Sequence, residues 1–348
     1  MKTEIAREGA AKLRVPSISF SDPHHCEVFF NPEMEFNRTV SVAVLRAFRN
    51  GAAVCDGLCA LGARGIRYAL EGGAKNVVCV DANPAAITLA NKNIALNKLK
   101  NVKAVESGLN KFLDARPSSF DFVEIDPFGS AVPFLPSAVR ALKKNGMLSV
   151  TSTDLANLCA GKRVSAERCR KDYGANPIRC DFSHEIAARI FAGKAASFGF
   201  RPVLVFYQGH YVKGFFVRGK KARLGFISYC PKCLSRVTGK LLHCACGYKM
   251  QVAGPLYLGE MCDRKFLQKV MGDERVGKLV ALLENEQGFP PYFFDLHAVC
   301  DCYGLPGKAV ATSIDNLRAK GFKAVRTHYC PNGIKTDAGV AEVAAALR

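Results

Sequence analysis

One short run in the chain has residue types suited to work on a planar amine. Asp126-Pro127-Phe128-Gly129 follows the apolar run 120–125. The lone pair of an exocyclic –NH2 on a base is delocalised into the ring and is a poor nucleophile. Two acceptors, the Asp126 carboxylate and the Pro127 carbonyl, can hold both of its N–H groups. That turns the nitrogen toward an electrophilic methyl, and the carboxylate offsets positive charge as it develops. Phe128 offers a face on which a base can stack. A strand-ending Asp-Pro turn is common and means little by itself. This one stands at the end of the fourth strand of an α/β pattern, where such sheets bind their ligands.

A second run, Asp56-Gly57 through Gly62 to Gly65, follows the first strand of that pattern. Its glycines allow tight turns and close approach of backbone to a ligand. Asp81 ends the next strand, where a carboxylate can accept from both ribose hydroxyls. A dinucleotide site would read G-x-G-x-x-G, which this loop lacks. A loop opening on an acid suits a nucleoside joined to an amino acid, the shape of a methyl donor.

The third group is Cys230-x-x-Cys233 with Cys244-x-Cys246. Two tight thiol turns can close a tetrahedral zinc site with a structural role, since four protein ligands leave no open position. His243, three residues before Cys246, is an alternative to Cys244. Cys55, Cys59 and Cys79 read as core. Cys300-x-Cys302 has no partner pair nearby in sequence. His24, His25 and His184 are weaker acid–base candidates, since such histidines are more often surface or satisfied ones.

These residues need a scaffold. Short apolar runs at 53–56, 77–81, 102–105, 120–125, 147–151, 202–207 and 214–218 alternate early on with helical stretches at 65–71 and 84–97. That alternation predicts parallel βαβ units in a doubly wound, Rossmann-like α/β sheet. The link 208–213 is too short for a crossover, so the last two runs should form an antiparallel edge hairpin. A helix over 38–48 ends the entry segment. Beyond the cysteine-rich stretch, helical patterning returns at 263–271, 274–286 and 313–320. A short run at 323–327, a turn at 331–333 and a helix at 337–347 complete a winged-helix-like pattern. The expected division is a catalytic domain at 1–225, a zinc ribbon at 226–260 and an RNA-gripping domain at 261–348.

Lysine plus arginine number 49 against 30 acids, a formal charge of +19, which favours a polyanionic partner. Lys220, Lys221, Arg223, Lys232, Arg236, Lys240, Arg264, Lys265, Arg318, Lys320, Lys323 and Arg326 read as a phosphate-tracking surface. No apolar run is long enough to span a membrane, and the first residues lack a signal-peptide core. A cytoplasmic protein with reduced thiols, acting as a monomer, is expected.

DPFGS at 126–130, with VFFNPEMEFNRT at 28–39, DGLCALGARGIR at 56–67, GPLYLG at 254–259 and THYCPNGIKT at 327–336, resembles the tRNA (guanine 26-N2)-dimethyltransferases in an archaeal-looking form. The resemblance spans most of the chain, from about Val15 to Thr336. It implies S-adenosylmethionine as methyl donor, tRNA as partner and N2 of guanine 26 as the target. It further implies that Arg38, Arg64 and Asp81 contact the donor's amino acid and ribose. Phe29 would stack the target base opposite Phe128. One stretch departs from the pattern. The family's Asp-Ala-Asn for adenine is here Glu106-Ser107-Gly108-Leu109-Asn110. Spacing to Asp126 puts Gly108 and Leu109 at the adenine; a shifted loop would put Glu106 and Ser107 there. Methylation of adenine N6 or of another guanine, and a non-catalytic tRNA-binding role, are the competing readings.

Overall fold

The computed structural model describes residues 2–22, 26–219 and 222–348, so His24, His25, Lys220 and Lys221 lie outside the described residues. An antiparallel hairpin, Thr3–Glu8 with Ala11–Pro16, precedes the helix Glu35–Phe48. The main sheet has seven strands, ordered Val102–Glu106, Asn76–Asp81, Ala53–Gly57, Phe120–Ile125, Leu142–Ser152, Tyr211–Arg218 and Phe200–Gln208. The first five pair in parallel. Their crossovers are carried by helices such as Ala63–Leu70 and Pro84–Leu96. The strand order reverses beside Ala53–Gly57, and that reversal opens a crevice at the carboxyl ends. The last two strands are neighbours joined by two residues, a link that only an antiparallel pair can use.

By internal contacts the chain forms two units: 1–151 with 215–218 and 265–277, and 152–214 with 219–264 and 278–348. The inner strands of the first unit's parallel sheet are buried on both faces; Phe120–Ile125 is buried at every position. In the second unit a three-stranded sheet, ordered Arg236–Thr238, Leu224–Tyr229 and Gln251–Tyr257, carries the cysteines. A second small sheet pairs Gly333–Thr336 antiparallel with both Ala324–Arg326 and Phe294–Asp295. With the helix Val310–Ala319 before it, this is the expected winged arrangement with one extra short strand.

Two expected helices are shorter than the pattern suggested. Over 263–271 only Arg264–Leu267 is helical. Gly272 ends the segment, and the Asp273 carboxylate accepts from Val276 N–H at 3.0 Å, starting a new helix. The terminal helix begins at Val340 rather than 337, because the Asp337 carboxylate accepts from Lys323 N–H at 2.8 Å instead. Arg236, expected on the basic surface, is 8% exposed. Asp181 and the Leu234 and Phe293 carbonyls accept from its Nε and Nη1, and its guanidinium lies 4.0 Å from the Phe294 ring.

GPLYLG and THYCPNGIKT both feed a buried network in this second unit. Arg189 donates to the Tyr257 and Gly259 carbonyls and to Glu185. Lys335 reaches the same Glu185 carboxylate at 2.6 Å, and His328 Nδ1 meets Glu286 at 2.8 Å. Burial works against the Glu286 charge, but His328 and Lys335 outweigh it and lower its pKa.

Candidate active site

Three strand ends, at Gly57, Asp81 and Ile125, bring the first unit's functional residues to one edge. The loop after Gly57 is tightly wound. Leu58 and Ala60 adopt positive φ, and Gly62 at φ +79° opens the helix Ala63–Leu70. Asp56 is 2% exposed and sits beneath this loop, accepting from Gly65 N–H at 2.8 Å. Burial pushes its pKa up to about 7; Arg64 opposes that shift and Glu124 adds to it. A Cβ on Gly65 would fall 2.3 Å from Cys79 Sγ, so only glycine lets this helix lie so close to the sheet. Asp81 braces the loop from the next strand. Its two carboxylate oxygens accept from Ala60 N–H and Asn83 N–H, each at 2.9 Å. Each oxygen has a second lone pair left for a hydroxyl.

Arg64 and Asp126, 62 residues apart in sequence, form a direct ion pair. Arg64 is 5% exposed, and its Nη1 donates to Asn37 Oδ1 and Ser41 Oγ, both at 2.8 Å. Burial disfavours its charge, but Glu124 and Asp126 more than compensate, and the guanidinium pKa rises. Asn37 is fully buried, and its Nδ2 has no partner. A ligand carboxylate beside Arg64 would satisfy it. Asn37 and Ser41 stand one helical turn apart, the one sequence signal that could have marked them. Glu124, which accepts from Tyr68 Oη at 2.6 Å, was likewise hidden in an apolar strand.

Arg38 is placed differently from Arg64. Its Nε and Nη2 hold the Glu8 carboxylate at 2.7 and 2.5 Å, and Nη2 also donates to the Asn31 carbonyl at 3.1 Å. It thus fastens the segment carrying Phe29 to the helix Glu35–Phe48. Phe29 and Phe128 are brought together, with ring centroids 4.5 Å apart and planes at 80°. A base sandwiched between them needs parallel faces about 7 Å apart, so this edge-to-face pair must part and rotate to admit one. Phe128 is 70% exposed, while Pro127 is buried.

Beyond the strand Val102–Glu106, the Leu109 side chain turns inward and fills the space over Gly57. Gly108 has open space where a Cβ would be, and Glu106 is exposed at its strand end. Asn110 Nδ2 donates to the Pro133 carbonyl at 3.2 Å, while its buried Oδ1 has no partner. That acceptor was not foreseen from the sequence. His184 is a packed residue: it stacks on Tyr207 at 4.2 Å, and burial lowers its pKa.

The thiols of Cys230, Cys233, Cys244 and Cys246 all lie within 4.8 Å of one another. The Cys230–Cys246 and Cys233–Cys244 sulfurs are 3.6 and 3.5 Å apart. Four sulfurs at about 2.3 Å from a tetrahedral zinc would stand about 3.8 Å apart, so the donor set fits that ion. Cys244, and not His243, belongs to the cluster. Cys300 and Cys302 instead turn to the Pro306 and Lys232 carbonyls.

The strand order, the glycine loop and the acid at the fourth strand end define a class I methyltransferase fold. The family model for N2,N2-dimethylguanosine tRNA methyltransferases matches residues 9–348. The tRNA (guanine(26)-N(2))-dimethyltransferase of Methanothermobacter thermautotrophicus is 33% identical, covering 97% of this chain and 96% of its own. That of Methanococcus maripaludis strain C7 is 34% identical, over 98% and 96%. Trm1 from Pyrococcus horikoshii, solved in complex with S-adenosyl-L-methionine, superposes with a TM-score of 0.86 at 29% identity, covering 99% of this chain and all of that one. The chain belongs to the N2,N2-dimethylguanosine tRNA methyltransferase family.

Proposed function

We propose that this chain methylates the exocyclic N2 of guanine 26 in tRNA, giving N2,N2-dimethylguanosine. The observation that carries the reading is the Arg64–Asp126 pair at the crevice, with Phe29 and Phe128 beside it. S-adenosylmethionine supplies the electrophilic methyl. Its amino-acid end matches the buried donors of Arg64 and Asn37 Nδ2, with Arg38 fastening the segment beside it; Asp81 suits its ribose. Asp56 and Gly57 shape the loop against which it would lie. Gly108 and Leu109 offer backbone to its adenine, and Asn110 Oδ1 can accept from the adenine amine.

The chemistry falls to the strand end. Arg64 takes Asp126 Oδ2 and leaves Oδ1 for a base N–H. The Pro127 carbonyl takes the second N–H. Held at both hydrogens, the amine presents its nitrogen along the line of displacement, and positioning supplies much of the acceleration. As the N–C bond forms, Asp126 Oδ1 takes the proton the nitrogen sheds; in the second transfer it holds, and then receives, the one N–H that remains. Phe29 and Phe128 then part to stack the base. Cys230, Cys233, Cys244 and Cys246 hold a zinc ion that ties the ribbon together without touching the reaction. The basic winged-helix-like segment grips the tRNA, whose target guanine must leave its stack to be reached.

The test is donor-label transfer to tRNA by wild type and Asp126→Ala, with tRNA affinity measured alongside. Transfer lost at unchanged affinity supports the reading. Wild-type turnover in the variant removes Asp126 from the mechanism.

A further inference from the structure

The sequence from Ile186 to Gly259 contains no aspartate or glutamate, yet holds twelve lysines and arginines. The cysteine ribbon occupies the end of this span. In it a tight hairpin projects from the thiol cluster: Met250 N–H donates to Leu242 O at 2.8 Å, His243 bridges Lys249, and Cys244 N–H donates to Tyr248 O at 2.9 Å. Such pairing puts Leu242 and Tyr248 diagonally across the hairpin, about 7 Å apart.

Its surface is unusual for a small sheet. Leu242 is 64% exposed, Tyr248 49%, Leu241 47% and Val237 39%. Solvated apolar side chains gathered on one short element mark a contact surface more often than chance. Charge names the partner. Lys240 and Lys249 flank the patch, and the Lys240 ammonium is held 3.9 Å over the Phe226 ring. Exposed apolar and aromatic faces between two lysines, with no acid from Ile186 to Gly259, match a segment of nucleic acid whose bases are unstacked.

We propose that this ribbon tip is an RNA-contact surface. Tyr248 and Leu242 take the face of one unstacked base, and Lys240 and Lys249 take the phosphates on either side. The proposal deepens the reading of tRNA as substrate and rests on it. It places one grip on the RNA at the zinc ribbon, on residues other than those of the winged segment and of methyl transfer.

The experiment uses the full chain and tRNA. Affinity is measured over a series of KCl concentrations, and transfer kinetics are measured at saturating and limiting tRNA. The variants are Tyr248→Ala, Tyr248→Phe and Lys240→Ala/Lys249→Ala, each checked for an unchanged melting temperature. Tyr248→Ala should weaken binding at least about fivefold, with the salt slope unchanged and Tyr248→Phe restoring affinity. The double lysine variant should lower the slope of log affinity against log salt by about 1.4. All variants should keep the wild-type rate at saturating tRNA. Wild-type affinity and slope in both the alanine and the lysine variants, while wild type methylates tRNA, overturn the tip proposal alone. That is also the result expected if the patch meets a protein. Wild type that neither binds nor methylates tRNA overturns the substrate reading and the tip proposal with it.

Discussion

At the scale of single residues, the account rests on which charges face one another. Asp126 and Arg64 were both legible as functional types, one closing a strand and one in a glycine loop. Their pairing was not, because 62 residues separate them and only the parallel register brings their strand ends together. Arg64→Lys keeps a charge but loses the planar fork that reaches Asp126, Asn37 and Ser41 together. Transfer should fall by about 10- to 100-fold with little change in tRNA affinity, as single-turnover kinetics would show. Phe128→Ala should weaken productive tRNA binding by roughly 5- to 150-fold, the range for loss of one stacked base, read as a rise in KM. Glu8 was not foreseen at all. Burial works against its charge, but Arg38 and then Arg67 outweigh that, and its pKa is lowered from the ordinary value of 4.5. A lowered folded pKa contributes stability above the unfolded value, and that contribution is lost as pH falls through the folded value. Glu8→Gln should cost about 3–5 kcal/mol near pH 7, because it leaves Arg38 buried without its carboxylate, while Arg67 keeps Glu71. The gap to wild type should narrow as pH falls below about 4.5, where the unfolded chain's carboxylate protonates, and close only below the lowered native value, in urea titrations at each pH.

At the scale of elements, the strands were readable because apolar runs bounded by glycine, proline or a polar turn fill both faces of a parallel sheet. All seven expected runs lie within observed strands. The helix Ser183–Ser197 was not readable. Residues 185–193 are buried without a break, so it lacks the polar face that creates a helical period. Glu185 and Arg189 lie inside that helix and pair with each other, which disguises a core helix as a polar one. Glycine 65 shows an element held by what is missing. Gly65→Ala should destabilise the protein by about 1–3 kcal/mol by forcing the helix Ala63–Leu70 off the Cys79 strand, and donor binding should weaken with it. Thermal melting with and without S-adenosylmethionine reads both effects. The ribbon is too small to hold itself by apolar burial alone. Cys233→Ser should therefore abolish bound zinc, measured by elemental analysis, and expose the ribbon to proteolysis. Full zinc retention in that variant would show that the four thiols are not the site.

At the scale of the whole molecule, the charge of +19 is spread through both units rather than confined to one domain. Sequence alone could not sort the lysines and arginines, because solvated, buried and ligand-facing side chains share one alphabet. Arg236 and Lys335 proved to be core residues inside aromatic and carboxylate cages. Arg318, Lys320, Lys323 and Arg326 are exposed along the winged segment. An enzyme gripping a folded RNA through such residues should bind in a strongly salt-dependent way. If six phosphates are neutralised, affinity should fall by about 10³-fold between 50 and 200 mM salt, measured by filter binding. The central claim is narrower than RNA binding: one amine, on one base, receives the methyl. The direct measurement uses two tRNAs that differ only at position 26, one with guanine and one with inosine, which lacks the N2 amine. Wild-type enzyme and labelled donor should methylate the guanine tRNA and leave the inosine tRNA unlabelled. Equal label on both would contradict the account.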